Sequence, residues 1–401
     1  LKLEDNVKID IETQYEKAWK KWKLNENKET TGDILHLLIS FLLFAGKFGS
    51  FVESLGRVSV KFSVNNPDSK NENLSDSYNN LGVILFQNSH YIEAKKYYKK
   101  ALSITEKLFG LEHLETATSQ SNLAVLLNEL GEKDLAEKLL CSAIATRTKV
   151  LGTDHSETLT AINNLALIFY GNSNFKEALP LFEQCLKSRK RVFGKFHRET
   201  ATSLNNLALI LTDLKKYADA KVLYKQAILV DERTLGPDHP DTATTINNFA
   251  ILLYRLKNYD ASELHYRRAL KIRQKSLGQN HLLTAGCMSN LAFLLSAKQD
   301  FISAEAFFRK AIKVKDTILG KTNASTLASL SGLASVIYEK ADYENAEVVL
   351  KEYLSRSNNE YQNGTKKIAK QIKLLIKVLQ KNGKNDEASE FEARLKKSNS
   401  D

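Results

Sequence analysis

The chain has 401 residues, 43% of them apolar and 26% charged, with a formal net charge of +11. This is the composition of a packed protein, and the scarcity of period-two alternation excludes a strand-rich one, so helix is expected almost throughout. The three cysteines, Cys141, Cys185 and Cys287, have neither metal-ligand nor disulfide spacing, and an odd count suits a reducing, intracellular compartment.

Residues 1–30 read as a charged lead-in helix carrying Trp19 and Trp22, and the start at Leu1 without Met reads as a segment cut from a longer protein. The longest apolar run, Ile34 to Ala45, is shorter than the roughly 18 residues a membrane-spanning helix needs, so a buried helix is expected. It pairs with Phe48–Phe62 as a degenerate helix pair over 31–64, capping the N-terminal end. No secretory signal is present, and a polar stretch from Asn65 to Asn73 follows.

From 74 to 357 the chain repeats with a period of 42 residues and no insertion or deletion. The marker is Leu81, Leu123, Leu165, Leu207, Phe249, Leu291 and Leu333. A fixed period in this range is the signature of a solenoid, in which each unit needs a neighbour to bury its apolar face. Each unit reads as two antiparallel helices, A and B; in the fourth, A runs from about Thr200 to Leu214 and B from about Ala218 to Leu235. Small residues follow the marker (Gly82, then Ala124 to Ala334) and recur in helix B (Ala94, Ala136, Ala178, Ala220, Ser262, Ala304, Ala346), where the two helices must approach closely. Aromatic residues such as Tyr217 and Tyr259 fill the A–B turn, and Cys185 stands where other units carry a core Ala. In the linker Leu235 to Thr242, Gly236 suits a left-handed helix end, Asp238 is placed to cap the next helix, and Pro240 suits its first turn.

This pattern of Asn-Leu-Ala, turn aromatic and paired Ala resembles the tetratricopeptide repeat in a long form. The 42-residue length, Arg191 to His197 followed by Asn205-Asn206-Leu207-Ala208, and Glu177-Ala178-Leu179-Pro180-Leu181 resemble the kinesin light chain type, found also in nephrocystin-3. The resemblance implies an all-α fold, an α-solenoid built as a right-handed superhelix of tetratricopeptide helix pairs. The long heptads with which a kinesin light chain binds its heavy chain are missing, and a divergent pair before the array fits the nephrocystin-3 arrangement better.

Continuing the period beyond 357 lands on Leu375 and Ala388, so 366–398 reads as an eighth, degenerate pair closing the array. From Lys366 to Ser400 ten basic residues face four acids, a net +6 out of the total +11. Lys366, Lys370, Lys373, Lys377 and Lys381 share one helix face, with Ile368, Ile372, Leu375, Ile376 and Leu379 opposite, packing on the seventh repeat. Transposed onto the repeat frame, Lys370, Lys373 and Lys377 point into the groove as an anchor for an acidic partner segment. The alternatives are a solubilising cap and a surface for RNA or anionic lipid. The remaining charge is too dilute for a phosphate-tracking stripe, which disfavours nucleic acid.

His113, His155, His197, His239 and His281 come one per repeat and cannot share an ion, so they are linker residues and no metal site is expected. No Ser-His-Asp set, Gly-rich phosphate loop or zinc-protease helix appears, which argues against an enzyme and for no cofactor. Asn80, Asn122, Asn164, Asn206, Asn248 and Asn290, just before the marker, are expected to face neighbouring helices. The residues one position earlier (Asn79, Asn163, Asn205 and Asn247, with Ser121, Ser289 and Ser331) are expected on the concave groove, where amides could hold a peptide backbone. Beside them runs an apolar stripe, Val83, Val125, Leu167, Leu209, Ile251 and Phe293, then Phe86, Tyr170, Tyr254 and Tyr338. Tyr170, Tyr254 and Arg255 join the asparagines as the candidate partner site. The lysine and asparagine pattern of a chaperone-tail clamp is not matched.

The function expected is therefore a protein-interaction scaffold that binds a partner's peptide segment, with no small-molecule substrate, as a monomer or weak self-associate. By resemblance, the partners would be cargo, motor or ciliary proteins, and the location cytoplasmic with cytoskeletal or ciliary association. The rival readings are the regulatory repeat arm of a larger nucleotide-binding protein, and RNA or lipid binding through the basic end.

Overall fold

The structure is a computed structural model that describes residues 35, 38–43, 50–65, 71–357 and 368–397. The proposed lead-in helix with Trp19 and Trp22, and Lys366 and Lys367 of the basic end, lie outside the described residues. No strand occurs among the described residues.

The chain divides into two units, residues 1–168 and 169–401. The first holds α1 (Ser50–Asn65), α2 (Asn71–Gln87), α3 (Tyr91–Phe109), α4 (Leu114–Glu129), α5 (Lys133–Leu151) and most of α6 (Ser156–Gly171). The second holds α7 (Phe175–Phe193), α8 (Arg198–Asp213), α9 (Tyr217–Thr234), α10 (Pro240–Arg255), α11 (Tyr259–Leu277), α12 (Leu282–Ala297) and α13 (Phe301–Ile318). It continues through α14 (Ala324–Glu339), α15 (Tyr343–Arg356), α16 (Ala369–Lys381) and α17 (Asn385–Lys397). The boundaries expected for the fourth repeat match α8 and α9 to within two residues. The polar stretch before the first repeat is shorter than its composition suggested, because α2 already begins at Asn71.

Consecutive helices pack on one another from α1 to α5 in the first unit and from α7 to α17 in the second, and successive A helices also touch, as α8 with α10 and α10 with α12. The Ala columns are fully buried at the A–B crossing, where a larger side chain would push the helices apart. In the second unit one apolar core runs from Ala243 to Ala388 and takes in Ile372, Leu375, Ile376 and Leu379 of α16. In the first, Leu35, Ile39 and Leu42 cluster with Val52, Leu55 and Ile84.

The linkers hold the period. Gly236 takes φ +98°, a left-handed conformation that costs other residues about 1–2 kcal/mol. Thr242 Oγ1 donates to the Gly236 carbonyl at 2.9 Å. The helix cap is His239, not Asp238 as the spacing suggested: its Nδ1 accepts from the Asp241 amide at 3.1 Å. Asp238 lies one residue too early and instead faces Lys275 at 3.5 Å. His113, His155, His197 and His281 accept in the same way from the amides of Glu115, Glu157, Glu199 and Leu283. In the last linker Asn323 replaces the imidazole and accepts from Ser325 N at 2.8 Å. The repeating histidine is thus an N-cap, a role in which Asn is fully competent.

A second column carries buried charge on the B helices. Arg147 donates to Ser121 Oγ and Thr118 Oγ1, and Arg189 donates to Ser203 Oγ and pairs with Glu199. Arg273 donates to the Leu283 carbonyl and Thr244 Oγ1, and Lys315 donates to Ser289 and Ser329 Oγ. Burial lowers the Lys315 ammonium to about 8. Asp231 stands alone as the anion of this column, 4% exposed, accepting from Thr245 Oγ1 at 2.7 Å. Burial raises its carboxyl to about 6.

His239→Ala removes the cap and should cost about 1 kcal/mol at neutral pH, whereas His239→Asn should cost little. Burial lowers the His239 pKa, so the unfolded chain protonates first and stability falls as pH drops below the ordinary 6.5; the Asn variant should lose this slope in urea melts. A slope unchanged in the variant would remove His239 from the account. Asp231 has the opposite sign. Its raised pKa means stability is full below the ordinary 3.8 and declines as pH rises through about 6. Asp231→Asn should therefore gain about 1–2 kcal/mol over wild type between pH 4 and 8, and a gain independent of pH would contradict the assignment.

Candidate functional site

The A helices meet along a seam sealed by amides. Asn248 Nδ2 donates to Asn205 Oδ1 at 3.1 Å, and Asn290 Nδ2 donates to Asn247 Oδ1 at 3.3 Å. Asn205 and Asn247 in turn donate to their neighbours Asn206 and Asn248 at 3.1 and 3.4 Å. In the first unit Asn79 Nδ2 donates to Ser119 Oγ at 3.0 Å. Of the residues before the marker, Asn248 and Asn290 face the neighbouring A helix as expected, and Asn122 and Asn164 line a small cavity in the first unit. The row one position earlier is not an open floor: Asn79, Asn163, Asn205 and Asn247 are only 8, 4, 8 and 6% exposed. The physical reason is the closeness of consecutive A helices, which turns these amides into the seam. Asn205 and Asn247 spend both ends of their amides there, while Asn79 donates to Ser119 and its Oδ1 is buried without a partner among the described residues. The half-exposed residues are those of the apolar stripe, Val83 to Ile251, with Phe293 39% exposed.

The seam ends in the seventh repeat. There Ser331 and Gly332 stand where repeat five has Asn247 and Asn248, and Ser335 stands where it has Ile251. With those side chains subtracted, a cavity of about 1060 Å³ opens in the second unit between α12, α14, the end of α15 and the start of α16. Tyr254, Phe293 and Tyr353 supply apolar wall, Ser331 and Ser335 the floor, and Arg356, Lys370 and Gln371 the rim. Gly332 is required by this packing: a Cβ there would lie 2.5 Å from the Phe308 ring and 2.9 Å from Phe293. Arg356 is fixed by Asp316, at 2.8 and 3.0 Å, and by Glu352. Gln371 Nε2 donates to Ser331 Oγ at 2.7 Å.

Of the residues singled out by sequence, the cavity brings together Tyr254, Phe293, Ser331 and Lys370. Lys373 and Lys377 are exposed on the same helix but do not line it. Tyr170 and Arg255 meet elsewhere, on the two oxygens of Asp213: the tyrosine hydroxyl donates to one, and Arg255 reaches the other at 2.6 Å. Burial, the hydrogen bond and the adjacent carboxylate all raise the Tyr170 pKa, so this hydroxyl stays protonated. Sequence reasoning missed Asp213, Ser331 as an opening rather than a rung, Ser335 and Gln371. The available signal was the failure of two columns at once in the seventh repeat. A smaller cavity of about 160 Å³ in the first unit likewise lies at a serine of the amide row, Ser121, beside Arg147. Among the described residues no group of His, Cys, Asp and Glu could hold a metal ion, and no helix is long and apolar enough to cross a membrane.

A stack of two-helix units with a 42-residue period, small residues at every A–B crossing and an aromatic A–B turn defines a helical repeat protein. The tetratricopeptide repeat family profile matches residues 73–149, 157–228, 199–275, 250–317 and 283–359, and the chain belongs to that family. Among solved structures it is similar to BtubC (BKLC) from P. vanneervenii, with 21% identity and a TM-score of 0.45 over 56% of this chain and 91% of that one. It is also similar to nearly identical TPR-like repeats, assigned as a kinesin light chain, from Podosopora anserina, with 22% identity and a TM-score of 0.40 over 50% and 95% of the two chains. At such identities the likeness concerns fold alone. No curated protein sequence matches significantly.

The cavity floor should respond asymmetrically to filling. Gly332→Ala forces the Phe308 and Phe293 rings to move and should destabilise the protein by about 1–3 kcal/mol. Ser335→Ile, which restores the residue type of the stripe, should be neutral or stabilising in the same denaturation experiment. Equal losses for both would mean that the space is not open.

Proposed function

We propose that this protein is an interaction scaffold that receives an extended peptide segment of a partner along its A-helix face, with the cavity of the second unit as the principal seat. The observation that carries this reading is the local loss of the amide seam at Ser331 and Gly332 and of the apolar stripe at Ser335, which leaves aromatic wall, hydroxyls and cationic rim together. Apolar wall with a few convergent polar groups is the usual make-up of a ligand site. Tyr254 and Phe293 offer contact area, and Lys370 offers charge to an acidic residue of the segment, with Lys373 and Lys377 extending that field along α16. Asn205 and Asn247 support the site by holding the A helices of the second unit in register, Asn79 and Asn163 serve the A helices of the first, and the clasp of Tyr170, Asp213 and Arg255 fixes the neighbouring repeats. No covalent step is required of any residue.

The long repeat form supports a cytoplasmic adaptor role towards cargo, motor or ciliary proteins, or service as the regulatory arm of a larger nucleotide-binding protein. The exposed lysines of α16 favour RNA or anionic lipid as the second reading.

The test is selection of a displayed random peptide library on the full chain, followed by Kd measurement on wild type and on the Ser331→Asn/Ser335→Ile pair. That pair closes the cavity with residues the protein already uses at the same register. Selected peptides should lose about tenfold or more in affinity for the closed pair, a difference of about 1.4 kcal/mol, and keep most of it at moderate salt. Peptides indifferent to closure, together with polyanion binding that vanishes with salt, would overturn the groove reading in favour of the basic end.

A further inference from the structure

We propose that the cavity at the end of the amide seam recognises a phosphorylated side chain, a phosphoserine or phosphothreonine within the partner's segment. This rests on the reading above that the cavity seats a peptide.

The first observation is electrostatic. No carboxylate lines the cavity among the described residues, whereas Lys370 and Arg356 both do. Arg356 is balanced by Asp316 and Glu352, so it forms a rigid wall, and Lys370 is the exposed cation. The second is the start of α16. The other A helices of the second unit open on a side-chain cap, from His197 to Asn323, but α16 opens on Ile368 with no side-chain cap and no acid in its first turn. A lysine in that position opposes the helix dipole, so among the described residues the start of α16 sets amides with no side-chain cap beside a positive charge. Lys370 and Gln371, in that same turn, are the residues that face the cavity. An anion seated there would supply the missing cap.

The third observation concerns hydroxyls. Of six Ser and Thr side chains lining the cavity, Ser335, Ser355 and Ser357 give their protons to helix carbonyls. Ser331 accepts from Gln371 and keeps its own proton, and Ser296 and Thr322 stand beside it on the wall. The site therefore offers an ammonium, a helix end and several hydroxyl donors to one ligand. A carboxylate brings two oxygens and a single charge. A phosphomonoester brings three terminal oxygens and a charge of about −1.5 to −2, which matches that supply. The volume, about 1060 Å³, leaves room for the flanking backbone beside the Tyr254 and Phe293 rings.

The experiment uses the full chain and three synthetic peptide libraries that differ only at a fixed central residue: phosphoserine, serine or aspartate. Bound peptides are identified by mass spectrometry, and the enriched sequences are measured by fluorescence anisotropy in all three forms. The phosphoserine form should bind about tenfold or more tightly than either alternative. Lys370→Gln should abolish that preference with the thermal melt unchanged, Lys370→Arg should keep it, and Ser331→Asn/Ser335→Ile should lose all three forms. Inorganic phosphate should compete only at far higher concentration, because it lacks the segment. If serine and aspartate peptides bind as well as phosphoserine and still respond to the closing pair, the phosphate inference is overturned and the peptide reading stands. If free phosphate competes as effectively as the peptide, the site is a small-anion site and the phosphopeptide inference is overturned. If no library responds to the closing pair, both readings fall.

Discussion

Everything in this chain depends on the linker that joins one helix pair to the next. A left-handed glycine, a threonine hydroxyl returned to its carbonyl and an imidazole cap fix the direction in which each A helix leaves the preceding B helix. The left-handed glycine recurs in every linker from Gly110 to Gly320, the threonine bond in all but the one at Thr158 and the imidazole cap in all but the one at Asn323, so equivalent side chains arrive at equivalent places within each unit. Columns such as the seam asparagines, the crossing alanines and the buried guanidinium groups can exist only under that condition. A single inserted residue would rotate the next helix by about 100° and break every column at once.

The amide seam is the first consequence. Two A helices close enough to touch must satisfy any polar group between them, and a buried amide left unpaired costs about 1–3 kcal/mol. Asn248 on Asn205 and Asn290 on Asn247 meet that demand along the row. The interior of the stack is thus closed by hydrogen bonding wherever the row is intact. The binding surface arises by subtraction, where serine and glycine interrupt the row: the Phe308 and Phe293 rings close over Gly332 and Gln371 bonds Ser331, and the cavity opens beside them. At Ser289 the same interruption is refilled, since the Lys315 ammonium bonds both Ser289 and Ser329. At Ser331 no such cation arrives, because Ser357 occupies the equivalent position on the next B helix.

This logic decides what was legible in the sequence. Period, helix pairing, the small crossing residues and the packing face of α16 follow from spacing alone, because they depend on which residues are apolar and how far apart they stand. The family resemblance extended that to the repeat type. The direction of the asparagines was not legible. A residue one step from the marker points into a groove or into a seam according to how closely the next A helix approaches, a distance that one repeat does not encode. The histidine cap was also hidden, since Asp at the preceding position is the commoner cap and the linker conformation shifts the helix start by one residue. The cavity was legible only as a coincidence of exceptions, Ser331, Gly332 and Ser335 breaking two columns in one repeat.

The polar character of the stack's interior has a further implication. An apolar seam is tolerant of sliding, because one aliphatic contact replaces another at little cost. A guanidinium that must reach Ser203 and Glu199, or an amide that must reach Asn205, accepts one register only. Buried charges are poor sources of net stability, since their desolvation nearly cancels their pairing. Their presence on five successive B helices from Arg147 to Lys315, four as cations and one as Asp231, is better explained by register than by strength. A one-register stack is what a scaffold needs, because a cavity made by subtraction keeps its shape only if its walls cannot slip to fill it.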